Sequence, residues 1–362
     1  MTDPLRCASG PRRRPAAGTG HASRVAVTRT ATIAALTIVL SVSLFAGGQD
    51  AARGSVVRLD PALDDIISSD ARIEILKEDY FGATEGPVWV KDGESGYLLF
   101  SDQAANRVYK WAPDGTLSVF LKRSGFTGNI RDININSAVF KLGRLYVAVL
   151  GSNGLALDRE GRLVMCTHGD RALVRIEKDG SRTVLADRFE GARLRGPNDL
   201  VVAADGSIYF TDLGVLGGNE LPPSVYRWKD GAVTLMAKNV QGGFANGIAL
   251  SPDQAHAYVA ASRKVVRYDV LEDGTFGNET VFVDLTGLSE PGSPDGIKVD
   301  RRGNVWFGGA GGLWIVSPGG THLGTILNER NVNLAFGDAD GKGLYITTFS
   351  GLVRIRLNAP AF

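Results

Sequence analysis

One short pattern recurs six times along this chain of 362 residues, and the repetition restricts the fold more than any other feature. An acid or amide, usually followed by Gly or Asp, opens an apolar run. The openings are Glu85-Gly-Pro-Val-Trp, Asn153-Gly-Leu-Ala-Leu-Asp, Asn198-Asp-Leu-Val-Val, Asn246-Gly-Ile-Ala-Leu, Asp295-Gly-Ile-Lys-Val-Asp and, more weakly, Asn333-Leu-Ala-Phe-Gly-Asp. A second apolar run follows each opening, such as Tyr97-Leu-Leu-Phe-Ser-Asp and Ser207-Ile-Tyr-Phe-Thr-Asp. A third comes after it, such as Arg107-Val-Tyr-Lys-Trp and Ser224-Val-Tyr-Arg-Trp. Asp-Gly turns at Pro113-Asp-Gly, Lys178-Asp-Gly, Lys229-Asp-Gly and Glu272-Asp-Gly then precede a fourth run in most repeats. Asp-Gly between alternating apolar strands is a hairpin signal. Four short antiparallel strands recurring at about 45 residues are the signature of a propeller. The chain is therefore predicted to be all-β, a six-bladed β-propeller with four-stranded antiparallel blades over residues 71–362. The sixth repeat runs out near Leu357 after its third strand. Ala71-Arg-Ile-Glu-Ile-Leu-Lys is expected to supply the missing outer strand, closing the ring and removing its exposed edge. An open two-domain sandwich would leave the sixfold spacing unexplained.

The residues before the repeats read differently. Arg12, Arg13, Arg14, Arg24 and Arg29 form a basic stretch, the apolar run Ala31 to Ala46 follows, and small residues come next. Residues 1–48 read as a secretory signal peptide, with an uncleaved membrane anchor as the alternative, and residues 49–70 as a linker. Export to a secreted or periplasmic location is expected, with no stable membrane association once the signal is removed. Of the two cysteines, Cys7 lies in this segment. Cys166, in an apolar strand-like run, is left without a disulfide partner and reads as a buried, inert thiol.

Lys and Arg number 40 against 39 Asp and Glu, which excludes a protein that binds nucleic acid through a basic excess. The longest interval between openings runs from Glu85 to Asn153. Its excess lies at residues 128–148, a lid at the channel mouth or a tolerated surface insertion.

In a propeller the residues that open each innermost strand ring the mouth of the central channel. Here every such position carries a side-chain oxygen: Glu85, Asn153, Asn198, Asn246, Asp295 and Asn333. One Asn-Gly or Asp-Gly pair alone would read as a turn. Convergence of several equivalents on one axis points instead to a metal site at Glu85, Asn198, Asn246 and Asp295, with Asn153 and Asn333 weaker. Hard oxygen donors suit Ca²⁺ first, then Mg²⁺ or Mn²⁺; Zn²⁺ is a further alternative, although no His or Cys stands in the ring.

At these motifs, and at Gly196-Pro-Asn-Asp-Leu-Val-Val and Pro294-Asp-Gly-Ile-Lys-Val-Asp, the sequence resembles the SMP-30, gluconolactonase and regucalcin family over residues 75–357. The resemblance implies a six-bladed propeller that binds one divalent cation and hydrolyses sugar lactones. It also implies Glu85, Asn246 and Asp295 as ligands, with Asn198 a weaker ligand or a substrate contact. Asn153 and Arg195 join Asn198 as candidate substrate contacts. The chain departs from related bacterial lactonases in carrying Arg195-Gly196 before Pro-Asn-Asp where they have Asn-Ser, and Leu213-Gly214 after Thr211-Asp212 where they continue with Pro. Both changes fall where substrate hydroxyls are expected, so they bear on the substrate rather than the metal.

The expected chemistry is metal-assisted hydrolysis of a small sugar-type lactone. The cation polarises the carbonyl and activates water, and Asp295 accepts the proton. No Gly-x-Ser-x-Gly elbow is present, which argues against a serine esterase. His168 follows the second strand of its repeat and reads more simply as a structural histidine than as a base. The alternatives are a non-catalytic propeller that binds a ligand or protein around a structural metal, and a related esterase.

Overall fold

The computed structural model describes residues 54–129, 139–142, 145–216, 221–327 and 331–362. The signal expected at residues 1–48 lies outside the described residues, as does 130–138 within the long interval. The rest of that interval contains two short paired strands, Val139–Leu142 and Leu145–Ala148.

Six antiparallel sheets follow in chain order, their strands pairing with their sequence neighbours except for two outer strands drawn from the segment before the first repeat. Blade 1 consists of Thr84–Asp92, Ser95–Asp102, Arg107–Trp111 and Leu117–Lys122. Blade 2 spans Ser152–Leu157 to Arg182–Ala186, blade 3 Pro197–Val202 to Ala232–Lys238, and blade 4 Ala245–Leu250 to Phe276–Asp284. Blade 5 runs from Ile297–Val299 to His322–Leu327. Blade 6 has three strands of its own, Asn331–Gly337, Gly343–Thr348 and Leu352–Arg356. Its fourth is Glu74–Lys77, which pairs antiparallel with Leu352–Arg356. The first and last segments of the propeller thus share one sheet, as the repeat count predicts.

Period-two alternation builds the core. Along the second strand of blade 1, Leu98 and Phe100 face blade 6, where they pack with Tyr345 and Leu352. Leu99, between them, faces Leu155 and Met165 of blade 2. The same division holds around the ring, giving six apolar clusters, one at each junction of neighbouring blades. Trp306, Phe307, Phe210 and Tyr226 are fully or almost fully buried in these junctions. Each such side chain contributes roughly 1.5–3 kcal/mol relative to exposure, so the junctions supply much of the stability of the described residues.

One expectation is corrected. Much of the segment expected to be a linker belongs to the fold. Ser55–Arg58 pairs with His322–Leu327 as a fifth, outermost strand of blade 5. A short 3-10 helix at Pro61–Asp65 follows, its first turn capped by the Asp60 carboxylate, which accepts from Ala62 N at 2.9 Å. Leu63 and Ile67 are fully buried between blades 5 and 6, which accounts for the ordering of this segment.

Candidate functional site in the central channel

The six openings converge. In blades 1 to 4 the innermost strand is bulged where it opens, with the register shifting between Glu85 and Val88, at Asn153-Gly154, between Pro197 and Leu200, and between Ala245 and Ile248. A bulge inserts a residue and re-aims its side chain, here toward the axis. The following glycine permits close approach of the next blade. A Cβ on Gly86 would stand 2.2 Å from Asn153 O, and one on Gly296 2.0 Å from Asn333 Cγ.

Half of the ring is a directional chain of amides. Asn153 Nδ2 donates to Asn198 Oδ1 at 2.5 Å, and Asn198 Nδ2 donates to Asn246 Oδ1. The Asn246 side chain in turn lies near the Asp295 carboxylate and lowers its proton affinity. Asp295 Oδ1 and Asn153 Oδ1 are buried with no hydrogen-bond partner among the described residues.

The other half is ionic. Glu85 Oε2 accepts from Gly86 N at 3.0 Å and from Asn333 Nδ2 at 3.1 Å. Asn333 Nδ2 also lies 3.4 Å from Asp199 Oδ2, and its Oδ1 is 3.4 Å from Lys298 Nζ. Lys298 Nζ pairs with Asp199 Oδ2 at 3.7 Å. Asn333, the weakest of the six repeat openings, therefore bridges three charged groups.

Asp199 is the ring residue that reading the repeats missed. Four other blades hold glycine at its position, Gly86, Gly154, Gly247 and Gly296, whereas blade 3 places a buried carboxylate there. That substitution within the repeat is the signal that marks it.

Three carboxylates thus share the channel, and their proton affinities reflect it. Burial, then repulsion from Asp199, pushes Glu85 up to about 7. Burial, then Glu85 and Asp199, raise Asp295 well above the ordinary carboxylate range. A site in which like charges resist ionisation, and in which a buried carboxylate oxygen lacks a donor, fits a divalent cation. Among the described residues no three acidic, histidine or cysteine side chains are grouped closely enough to hold a metal alone. A cation held here would therefore also draw on amide oxygens, of which Asn198 and Asn246 present two on the ring.

His168 is buried, with Nε2 3.5 Å from Asn153 Nδ2, so it stands directly behind the amide chain rather than apart from it. Burial lowers its pKa to about 4, which keeps the imidazole neutral. Arg195 is buried as well. Its guanidinium donates to Leu221 O, and its backbone N donates to Asp212 Oδ2 at 2.7 Å, which ties it to the loop after Asp212. Cys166 is fully buried, and burial raises its thiol pKa, in keeping with an inert thiol.

The description SMP-30/Gluconolactonase/LRE-like region matches residues 83–350. A gluconolactonase of Zymomonas mobilis is 30% identical, the match covering 93% of this chain and 98% of that protein. A pentonolactonase of Haloferax volcanii is 27% identical over 74% of this chain and 81% of its own length. The solved structure of a gluconolactonase from Xanthomonas campestris, 31% identical, superposes with a TM-score of 0.69 over 83% of this chain and 94% of that one.

Proposed function

The chain belongs to the SMP-30/gluconolactonase/LRE-like family, and on that premise we propose that it is a lactonase that opens a small sugar-type lactone at the channel ring. The observation that carries this reading is the convergence of Glu85, Asn198, Asn246 and Asp295 on one axis, with Asp295 Oδ1 buried and unpartnered among the described residues. The lactonase names of the similar proteins support the substrate class. The basic and apolar character of residues 1–48 supports export as part of the same reading.

Glu85, Asn198, Asn246 and Asp295 would hold one divalent cation (Ca²⁺ by the all-oxygen donor set, with Mg²⁺, Mn²⁺ or Zn²⁺ as alternatives), which would supply Lewis acidity toward the carbonyl oxygen. Asp295 takes a proton from the attacking water as the water oxygen bonds to the carbonyl carbon. The ring carbon–oxygen bond then breaks, the proton passes to the departing ring oxygen, and a hydroxy acid is released. Asn153 and Asn198 meet the sugar hydroxyls, and their amides are oriented by the hydrogen bonds that run from Asn153 through Asn198 to Asn246. Arg195 steadies the neighbouring loop through Leu221 O and contributes to substrate placement through that loop.

A pH-stat assay tests the reading, with glucono-δ-lactone, a five-carbon aldonolactone and an unsubstituted alkyl lactone compared in the presence of Ca²⁺. The proposal expects acid release above the spontaneous rate for the sugar lactones, with the alkyl lactone slower. Equal, purely spontaneous rates for all three would contradict it.

A further inference from the structure

Three channel carboxylates and one divalent cation do not balance by themselves. Glu85, Asp199 and Asp295 bring three negative charges when ionised, one more than such a cation offsets. The described residues hold one cation among them, Lys298, which enters from the innermost strand of blade 5. Its ammonium lies 3.7 Å from Asp199 Oδ2, 3.4 Å from Asn333 Oδ1 and 3.0 Å from Ile297 O. Through Asn333 of blade 6, which donates to Glu85 at 3.1 Å, it is coupled to the carboxylate of blade 1.

We propose that Lys298 is the built-in counter-cation of the channel, and that with Asp199 it sets the site to take one divalent ion in preference to a trivalent one. The inference rests on the metal-holding role given to the ring above. With all three carboxylates ionised, as cation binding would require, and Lys298 in place, the site would carry a net charge of minus two, which one divalent ion neutralises. Removal of the ammonium leaves minus three in a low-dielectric channel, where each uncompensated charge costs far more than in water. Asp199 and Lys298 are positioning residues here: they act on the ion through the field they create, not by ligating it.

The test compares the full chain with its Lys298→Met, Asp199→Asn and Lys298→Met/Asp199→Asn variants. Ca²⁺ affinity is read by calorimetry and Tb³⁺ affinity by sensitised luminescence, with a thermal melt to establish folding. Lys298→Met is expected to raise the Tb³⁺ to Ca²⁺ affinity ratio by about tenfold or more, and Asp199→Asn to lower it. The double variant, again at minus two, is expected to return to within about threefold of the wild type. Lys298→Arg keeps the charge and is expected to keep the ratio, so the question stays answerable if the methionine variant does not fold. A ratio in Lys298→Met equal to that of the wild type, or an equal loss for both ions, would overturn the proposal while leaving the metal site itself standing. A folded wild type that binds neither ion would remove both.

Discussion

Asn333 Nδ2 donates to Glu85 Oε2 at 3.1 Å, so the last blade grips the first inside the channel as well as through the shared outer strand at Glu74–Lys77. The contact supports Glu85 against the burial and repulsion that raise its pKa. Asn333→Leu keeps approximate volume and removes the donor. A hydrogen bond to a charged group contributes about 1.5–3 kcal/mol, so Ca²⁺ affinity measured by calorimetry is expected to fall roughly 10- to 100-fold. Unchanged affinity would remove Asn333 from the site.

Close approach of the blades depends on glycine at the ring. Gly296→Ala would drive a methyl group into the Asn333 amide, 2.0 Å from its Cγ. A destabilisation of about 1–3 kcal/mol is expected by chemical denaturation, together with weakened Ca²⁺ binding. Gly287→Ala, which meets nothing within 4 Å, serves as the comparison and is expected to stay within about 0.5 kcal/mol of the wild type.

The segment before the first repeat is tested by Leu63→Ala. Leu63 is 0% exposed and packs between blades 5 and 6. Truncation is expected to cost about 2–5 kcal/mol. A passive linker would show no loss.

Asp212 gives a pH signature of its own. Burial raises its pKa from 3.8 to about 6, against the donors Arg195 N and Gly214 N. A carboxyl whose folded pKa exceeds its unfolded one binds protons more tightly when folded. Its contribution to stability is full below pH 4 and is lost as pH rises through about 6. Asp212→Asn is therefore expected to flatten the stability profile between pH 4 and 6 relative to the wild type. Parallel profiles for the two proteins in urea titrations would show that the carboxyl is ionised throughout.

The blades were legible because their signals are local: alternating apolar residues, Asp-Gly turns, and an oxygen-bearing residue at the same place in every unit. The ring followed from that equivalence, and the structure does bring Glu85, Asn153, Asn198, Asn246, Asp295 and Asn333 together. What escaped depends on neighbours far away in the sequence. Asp199 reads as the second half of an Asn-Asp turn until Lys298 and Asn333 are seen beside it. His168 lies one residue past its strand, yet the fold sets it against Asn153. Arg195 is a loop arginine in the sequence and a buried one in the structure, because the Leu221 carbonyl receives its guanidinium. Leu63 and Ile67 sit in a segment without strand periodicity, and only the junction between blades 5 and 6 reveals what they fill.

The most direct test of the central claim is acid release from glucono-δ-lactone by the full chain, stripped of metal and then resupplied with Ca²⁺, beside Asp295→Ala, with spontaneous hydrolysis subtracted. Turnover that appears on adding the cation and falls at least about 100-fold in the folded Asp295→Ala protein is the predicted result. Turnover that persists in Asp295→Ala, or a folded wild-type protein that leaves the lactone at its spontaneous rate with the cation present, would contradict it.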